Sequence, residues 1–253
     1  MEVSEGQAEC ALCQRPFTFV RLPFVRVTPN VCPDCKGEQE RQEEEGRAAR
    51  AREERQAALL DLIAAAGANP AEHRDATLSN FDSGECGSAP VNAALDFVGA
   101  TKASGRFDPV RGLYLWGPTG SGKTHLAVGI LRALLLDLSV NPAEIVYDHA
   151  AELIARIQDT YNTKASTVDL LERRFRARLW IVDDLGTERA SDDVARHLTL
   201  IFTKRALRPT VVTSNLSPEQ FERKRPELVR VVSRLGPGYF RTEEVRGRDR
   251  RFD

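Results

Sequence analysis

The stretch Gly117-Pro118-Thr119-Gly120-Ser121-Gly122-Lys123-Thr124 has the spacing GxxxxGK[ST]. Its glycines let successive backbone N–H groups converge on one anion, and a helix opening at its end adds a favourable dipole. Lys123 is placed to reach the β- and γ-phosphates of a nucleoside triphosphate. Thr124 is placed to ligate Mg²⁺ through its hydroxyl. The motif predicts ATP and Mg²⁺ at this loop, although alone it would equally suit a kinase, a transporter subunit or a GTPase. Two acids close the apolar run Leu179-Trp180-Ile181-Val182-Asp183-Asp184. An acid at the carboxyl end of a strand beside such a loop is where a water-bridged Mg²⁺ ligand belongs, which is the expected role of Asp183. Asp184 is then placed to polarise the attacking water; the plain alternative is a turn or helix cap. Asn215 ends the run Pro209–Asn215. On a neighbouring strand its amide would approach the γ-phosphate; taken alone, an Asx turn or N-cap before Ser217-Pro218 explains it as well.

A second set of residues has metal-binding spacing. Cys10-x₂-Cys13 and Cys32-x₂-Cys35 are separated by 18 residues. Two such pairs suit a tetrahedral zinc site closed by two knuckles around a hairpin. With four thiolate ligands no position stays open for catalysis, so the expected Zn²⁺ is structural. A redox pair is the alternative. Between the pairs, Phe17, Phe19, Val25 and Val27 alternate as short strands do. A module this small cannot bury a sufficient core alone, so the metal would supply folding energy. The fifth cysteine, Cys86, reads as a bystander in a loop.

These residues need elements to hold them. Short apolar runs at Gly112–Trp116, Glu144–Asp148, Leu179–Asp183 and Pro209–Asn215 read as buried strands. Helical patterns separate them, over Val91–Ser104, Gly122 to about Leu138, Ala150–Tyr161, Thr167–Arg176, Asp192–Ala206, a short helix from Ser217, and Pro226–Leu235. The tail from Tyr239 has room for a last strand. Buried strands alternating with helices predict an α/β fold, a parallel sheet with helices on both faces. Ahead of it, the Glu-, Arg- and Gln-rich stretch from Lys36 to about Ala66 reads as a solvated helix. Only its end, Leu59, Leu60, Leu62 and Ile63, needs a packing partner. The expected domains are therefore a zinc module at 1–36, a helical linker at 37–74 and an ATPase domain at 75–253.

Composition sets the outer limits. Lys and Arg number 36 against 37 Asp and Glu, a net charge of −1, so any basic surface must be local. No basic start is followed by an apolar stretch, and the longest apolar run, Leu131–Leu138, contains Arg132 and Asp137. Neither a signal peptide nor a membrane span is expected, which points to a cytoplasmic protein.

The strings GPTGSGKTHLA, LWIVDDLG, PTVVTSNLS and VVSRL occur in this order. Together they resemble the AAA+ ATPases of the DnaC type, the bacterial replicative helicase loaders, and the related transposition helper ATPases of the IstB type. The resemblance covers about residues 75–253 and implies an AAA+ P-loop NTPase fold. It implies that Asn215 is sensor 1 and that Arg234, in Ser233-Arg234-Leu235, is an arginine finger acting on a neighbouring subunit's ATP. The tail Gly247-Arg248-Asp249-Arg250-Arg251 resembles the family's Gly-x-Asp-x-Arg ending, making Arg251 the sensor 2 candidate and Arg250 its alternative. Some loaders carry an N-terminal zinc-binding domain that contacts the helicase, and this arrangement looks similar. The partners so implied are the replicative DNA helicase, single-stranded DNA and further copies of the chain joined through the ATP site. Candidate DNA contacts are Arg156, Lys164, Arg173, Arg174 and Arg176, with Tyr161 able to stack on a base; a solvated helix face is the competing reading of each. Two other functions fit the same motifs: an IstB-type transposition helper, and a nucleotide-gated DNA-binding adaptor with little turnover.

Overall fold

The computed structural model describes residues 4–21, 28–84, 86–103, 112–163, 166–187, 190–236 and 238–247. The chain forms two compact units, Met1–Glu54 and Arg55–Asp253.

In the first unit β1 (Ser4–Glu9) and β2 (Pro16–Arg21) pair antiparallel, from Ser4 opposite Arg21 to Glu9 opposite Pro16. The hairpin turn is therefore the first cysteine pair. One strand precedes Cys10, although SEGQAE has no apolar alternation to announce it. It pairs because Gly6 leaves room for the Phe19 ring, which a Cβ there would meet at 2.6 Å. Val25 and Val27 lie outside the described residues. Helix α1 (Pro33–Ala65) begins inside the second cysteine pair, earlier than Lys36. Pro33 suits a first turn because its missing N–H would have had no partner there. Exposed pairs along the helix, such as Lys36–Glu40 and Arg47–Glu43, keep that stretch solvated.

The second unit is a five-stranded parallel sheet. Its strands are β3 (Gly112–Trp116), β4 (Ile145–His149), β5 (Leu179–Asp183), β6 (Thr210–Ser214) and β7 (Phe240–Glu244). Their order is β4-β5-β6-β3-β7, with every pairing parallel. Alternate side chains enter two cores, as the period of two requires. Tyr114, Val146, Trp180, Val182 and Val212 face one core. It is completed by α4 (Ala150–Asn162), α5 (Thr167–Arg176), α6 (Asp192–Lys204), α7 (Pro218–Lys224) and α8 (Val229–Val232). Leu113, Leu115, Ile145, Tyr147, Leu179, Ile181 and Val211 face the other. That side is covered by α2 (Ala89–Ala103), α3 (Lys123–Arg132) and Leu59 and Ile63 at the end of α1. Helices thus lie on both faces, as the strand pattern requires.

Local boundaries differ from expectation for identifiable reasons. The helix from the phosphate loop leaves α geometry at Arg132 and continues as a π turn, Ala133–Asp137, in which Leu138 N–H reaches Ala133 O. The wider turn lets the adjacent Leu134 and Leu135 both stay buried. The segment expected as one helix over Pro226–Leu235 is a 3₁₀ turn, Pro226–Leu228, followed by the single-turn α8. The tail does carry the last strand, β7, beside the phosphate-loop strand.

Candidate functional site

The order of the strands builds the site. β3 is flanked by β6 and β7, so the loop leaving Trp116 emerges between the ends of two neighbours. Gly117 N–H donates to Ser214 O at 3.2 Å, and Val245 N–H donates to Trp116 O at 2.7 Å. A Cβ on Gly117 would stand 2.1 Å from Val245 O, so only glycine fits there. Gly122 caps α3 with φ of +96°, and a Cβ there would meet the Phe81 ring at 2.6 Å. Lys123 is 6% exposed and its Nζ donates to Gly117 O (3.0 Å) and Pro118 O (2.7 Å). The buried ammonium is thereby compensated from within the loop. Ser121 Oγ is buried with no hydrogen-bond partner among the described residues. An orphaned hydroxyl, a buried ammonium and a glycine cradle are what a bound phosphate chain would complete.

The two acids occupy the end of the neighbouring strands. Thr124 Oγ1 lies 3.1 and 3.0 Å from the two Asp183 carboxylate oxygens, the short separation a shared Mg²⁺ shell requires. Tyr147 OH donates to Asp183 Oδ2 at 3.0 Å, and Thr213 Oγ1 donates to Oδ1 at 2.5 Å. Burial first, then the Asp183 charge, pushes the Tyr147 hydroxyl well above its ordinary 10, so it stays a donor. Asp184 adopts φ of +57° just past β5. Its N–H donates to Thr213 Oγ1 (2.8 Å), and Asn215 Nδ2 donates to its Oδ1 (2.8 Å). His149 Nε2 stands 3.9 Å from Asp184 Oδ2. The left-handed backbone turns this second carboxylate away from Asp183, so the two acids face different partners.

Thr213, Tyr147 and His149 were not singled out by the sequence reading. Their signal was present: polar side chains at the carboxyl ends of buried strands. It acquires meaning only once β4 and β6 are known to flank β5. The segment between α1 and α2 contributes as well. His125 Nε2 is 2.9 Å from both Thr77 O and Asn80 Oδ1, two acceptors, which assigns its proton to Nε2. Phe81 packs edge-on to His125 with ring centroids 5.6 Å apart.

Arg234 lies elsewhere. Its Nη1 is 3.5 Å from Tyr239 OH, and its guanidinium carbon is 5.9 Å from that ring. Tyr239 immediately precedes β7, at the amino-terminal edge of the sheet, whereas the phosphate loop leaves the carboxyl-terminal edge. Arg250 and Arg251 fall outside the described residues. Gly247 is described, and a Cβ there would stand 3.9 Å from Ser121 Cα, which places Gly247 itself beside the phosphate loop. Among the candidate DNA contacts, Arg156, Arg173, Arg176 and Tyr161 are exposed. Tyr161 OH is 3.2 Å from His197 Nδ1, and Lys164 is outside the described residues. Arg174 is corrected: it is 4% exposed and chelates Asp148 through Nε (2.9 Å) and Nη2 (2.6 Å), while Trp180 Nε1 donates to the same carboxylate at 2.7 Å. It belongs to the core, not to a binding surface.

In the first unit the sulfurs of Cys10, Cys13, Cys32 and Cys35 all lie within 4.8 Å of one another, with Cys13 and Cys32 at 3.8 Å. Four thiolates about 2.3 Å from one zinc stand about 3.8 Å apart, so the set fits that ion. Backbone N–H groups of Cys32 and Cys35 donate to Cys10 Sγ (3.3 Å) and Cys32 Sγ (3.5 Å), orienting the ligands. The Cys32 N–H, then that of Cys13, draws the Cys10 thiol down to about 6; hydrogen bonds first to Cys32 and then to Cys13 push Cys35 up to about 12. A metal bound here would displace the protons of these thiols. Among the described residues no helix is long and apolar enough to cross a membrane.

Residues 103–225 match the family described as IstB-like ATP binding protein. No curated protein sequence matches the chain. Several solved structures share its fold. One is DnaI, with a TM-score of 0.58 and 24% identity over 72% of this chain and 94% of that one. Another is the DnaC helicase loader, with a TM-score of 0.55 and 24% identity over 69% and 99%. A Streptococcus pyogenes serotype M3 protein described as a primosome component has a TM-score of 0.56 and 26% identity over 72% and 92%. The stretch 103–225 is thus similar to IstB-like ATP-binding proteins, and the chain shares the fold of DnaI and of the DnaC helicase loader.

Proposed function

We propose that this protein is an ATP-dependent loader of the replicative DNA helicase onto single-stranded DNA. The observation that carries the reading is the convergence of Thr124, Asp183, Asp184 and Asn215 at the carboxyl ends of β5 and β6, beside the phosphate loop. In this reading Gly117–Thr124 wrap the phosphates and Lys123 leaves its carbonyls for the β- and γ-oxygens. Magnesium, held by Thr124 and through water by Asp183, would neutralise charge on the transferring phosphate. Asp184 polarises the attacking water, and Asn215 orders both. Asp is one methylene shorter than the Glu most AAA+ proteins place second, so hydrolysis is slow until DNA or partner repositions the site. Arg234 serves a neighbouring subunit's ATP, because its own phosphate loop is at the opposite edge of the sheet. Arg251 takes the part of sensor 2. Residues 1–36 act as a zinc-held docking domain, 37–74 as a helical linker and 75–253 as the ATPase.

The names of the solved relatives support the loader: one is a helicase loader, another is described as a primosome component. The four-cysteine module supports it further, since a separate docking domain fits delivery of a large cargo. The match to IstB-like sequence favours a second reading, a transposition helper that marks target DNA. The test is capture of the host's replicative helicase by the full chain, with and without ATP. Capture that Cys32→Ser abolishes is expected. Absence of capture in both conditions, with binding to a transposase instead, overturns the loader.

A further inference from the structure

The loop that follows the second acid is held in an unusual way. Four successive carbonyls, from Asp184 to Thr187, each accept a hydrogen bond from a side chain. Thr187 Oγ1 donates to Asp184 O (3.2 Å) and Ser214 Oγ to Leu185 O (2.6 Å). The other two are taken by one residue: Arg225 Nε donates to Gly186 O and Nη2 to Thr187 O, both at 2.7 Å. Gly186 has φ of +92°, and a Cβ there would stand 2.6 Å from the Phe221 ring, so α7 presses on the loop one turn before Arg225 grips it.

Arg225 is itself fixed. It caps α7, its N–H donating to Phe221 O at 2.8 Å, and its Nη1 reaches Lys224 O at 3.1 Å. The other end of α7 is closed by a capping box between Ser217 and Gln220, directly after Asn215. The helix thus lies between Asn215, two residues before its N-cap, which touches Asp184, and Arg225, which clamps the loop beyond it. Asp184 sits in a left-handed conformation that only surrounding contacts maintain.

We propose that Arg225 is a positioning residue for the hydrolytic site: its two-pronged grip on Gly186 and Thr187 holds Asp184 in the conformation that aims its carboxylate. Only a planar guanidinium offers two donors in this fork; a lysine ammonium at the same place is a point donor. The same residue opens the segment 226–236 that carries Arg234, so the grip joins the acid of one site to the element reaching the next. This rests on the reading of the site as an ATPase.

The test compares wild type, Arg225→Lys and Arg225→Gln as full chains. Turnover at saturating ATP, KM, affinity for a fluorescent ATP analogue with magnesium, and hydrogen–deuterium exchange are measured. Both variants are expected to lose about tenfold or more in kcat with analogue affinity nearly unchanged, because a small displacement of a catalytic group costs rate rather than binding. Exchange at residues 185–187 rises while exchange over Gly117–Thr124 does not. Full turnover in Arg225→Lys, or a parallel loss of binding and rate, overturns the proposal. If wild type hydrolyses no ATP, the ATPase reading fails separately, and unchanged exchange at 185–187 then overturns the role of Arg225 on its own.

Discussion

Asn215 donates its amide to Asp184 Oδ1 across 2.8 Å, from the tip of the strand next to the one that ends in the two acids. That contact separates the roles of adjacent carboxylates. Asp183 is enclosed by Thr124, Tyr147 and Thr213 and is 2% exposed; Asp184 is partly open and touched by an amide and an imidazole. Asp184→Asn is therefore expected to retain ATP binding while turnover falls about 100-fold or more, the usual scale for a lost general base. Steady-state hydrolysis with single-stranded DNA and helicase present, alongside an equilibrium binding curve, checks it. Absence of hydrolysis in wild type and variant alike would instead favour the adaptor with little turnover.

Lys123 supports a different outcome. Its ammonium is buried and donates to two carbonyls of its own loop. Exchanging those for phosphate oxygens makes charge-assisted bonds, so Lys123→Ala should weaken ATP binding itself, by about tenfold or more. Titration with a fluorescent ATP analogue reads this directly. An unchanged dissociation constant would show that the loop does not hold the phosphates.

Much of this site was legible because its chemistry is local. The phosphate loop is eight consecutive residues, and a strand ending in two acids is visible in LWIVDD. The parallel sheet followed from four buried apolar runs. Tyr147, His149 and Thr213 were not legible in the same way, since each matters only through strand order, and order is set by long-range packing. Arg174 shows the opposite failure. On α5 it reads as one of several basic residues, yet its turn of the helix faces inward and Asp148 waits there at the end of β4. The strand β1 was hidden because it is polar and is paired by the cysteine turn rather than by an apolar face.

The Arg174–Asp148 pair carries a stability prediction. Both side chains are buried, and the carboxylate also accepts from Trp180. Arg174→Ala leaves that charge without its main partner, a loss of about 3–5 kcal/mol. The exposed Arg173→Ala should change stability by less than about 0.5 kcal/mol. Urea denaturation of the two variants separates them. Comparable midpoints would mean that Arg174 is not the core residue its geometry indicates.

The cysteine cluster predicts a composition. Purified protein should contain about one zinc per chain, and Cys32→Ser should lose it. Because the first unit has little apolar core, chelation should abolish amide protection over residues 4–21 while the thermal transition of the second unit is retained. Elemental analysis and hydrogen exchange report the two halves. Metal-free protein with Cys10–Cys35 oxidised would replace the zinc module with a redox pair.

Arg234 gives the prediction that tests the shared site. Its guanidinium sits at the sheet edge opposite its own phosphate loop, beside Tyr239. On the proposed function a charge there would serve a neighbour's γ-phosphate, where such an arginine contributes about 10³–10⁵ in rate. Arg234→Ala should therefore bind ATP normally and hydrolyse it poorly. Mixing makes the argument specific. Arg234→Ala subunits keep an intact Asp184, and Asp184→Asn subunits keep an intact Arg234. Where the first kind supplies the nucleotide pocket and the second the arginine, one complete site forms from two inactive chains. Hydrolysis should reappear on mixing, pass through a maximum near equal proportions and vanish in either pure sample. Activity that merely dilutes with the inactive partner would place Arg234 outside the reaction.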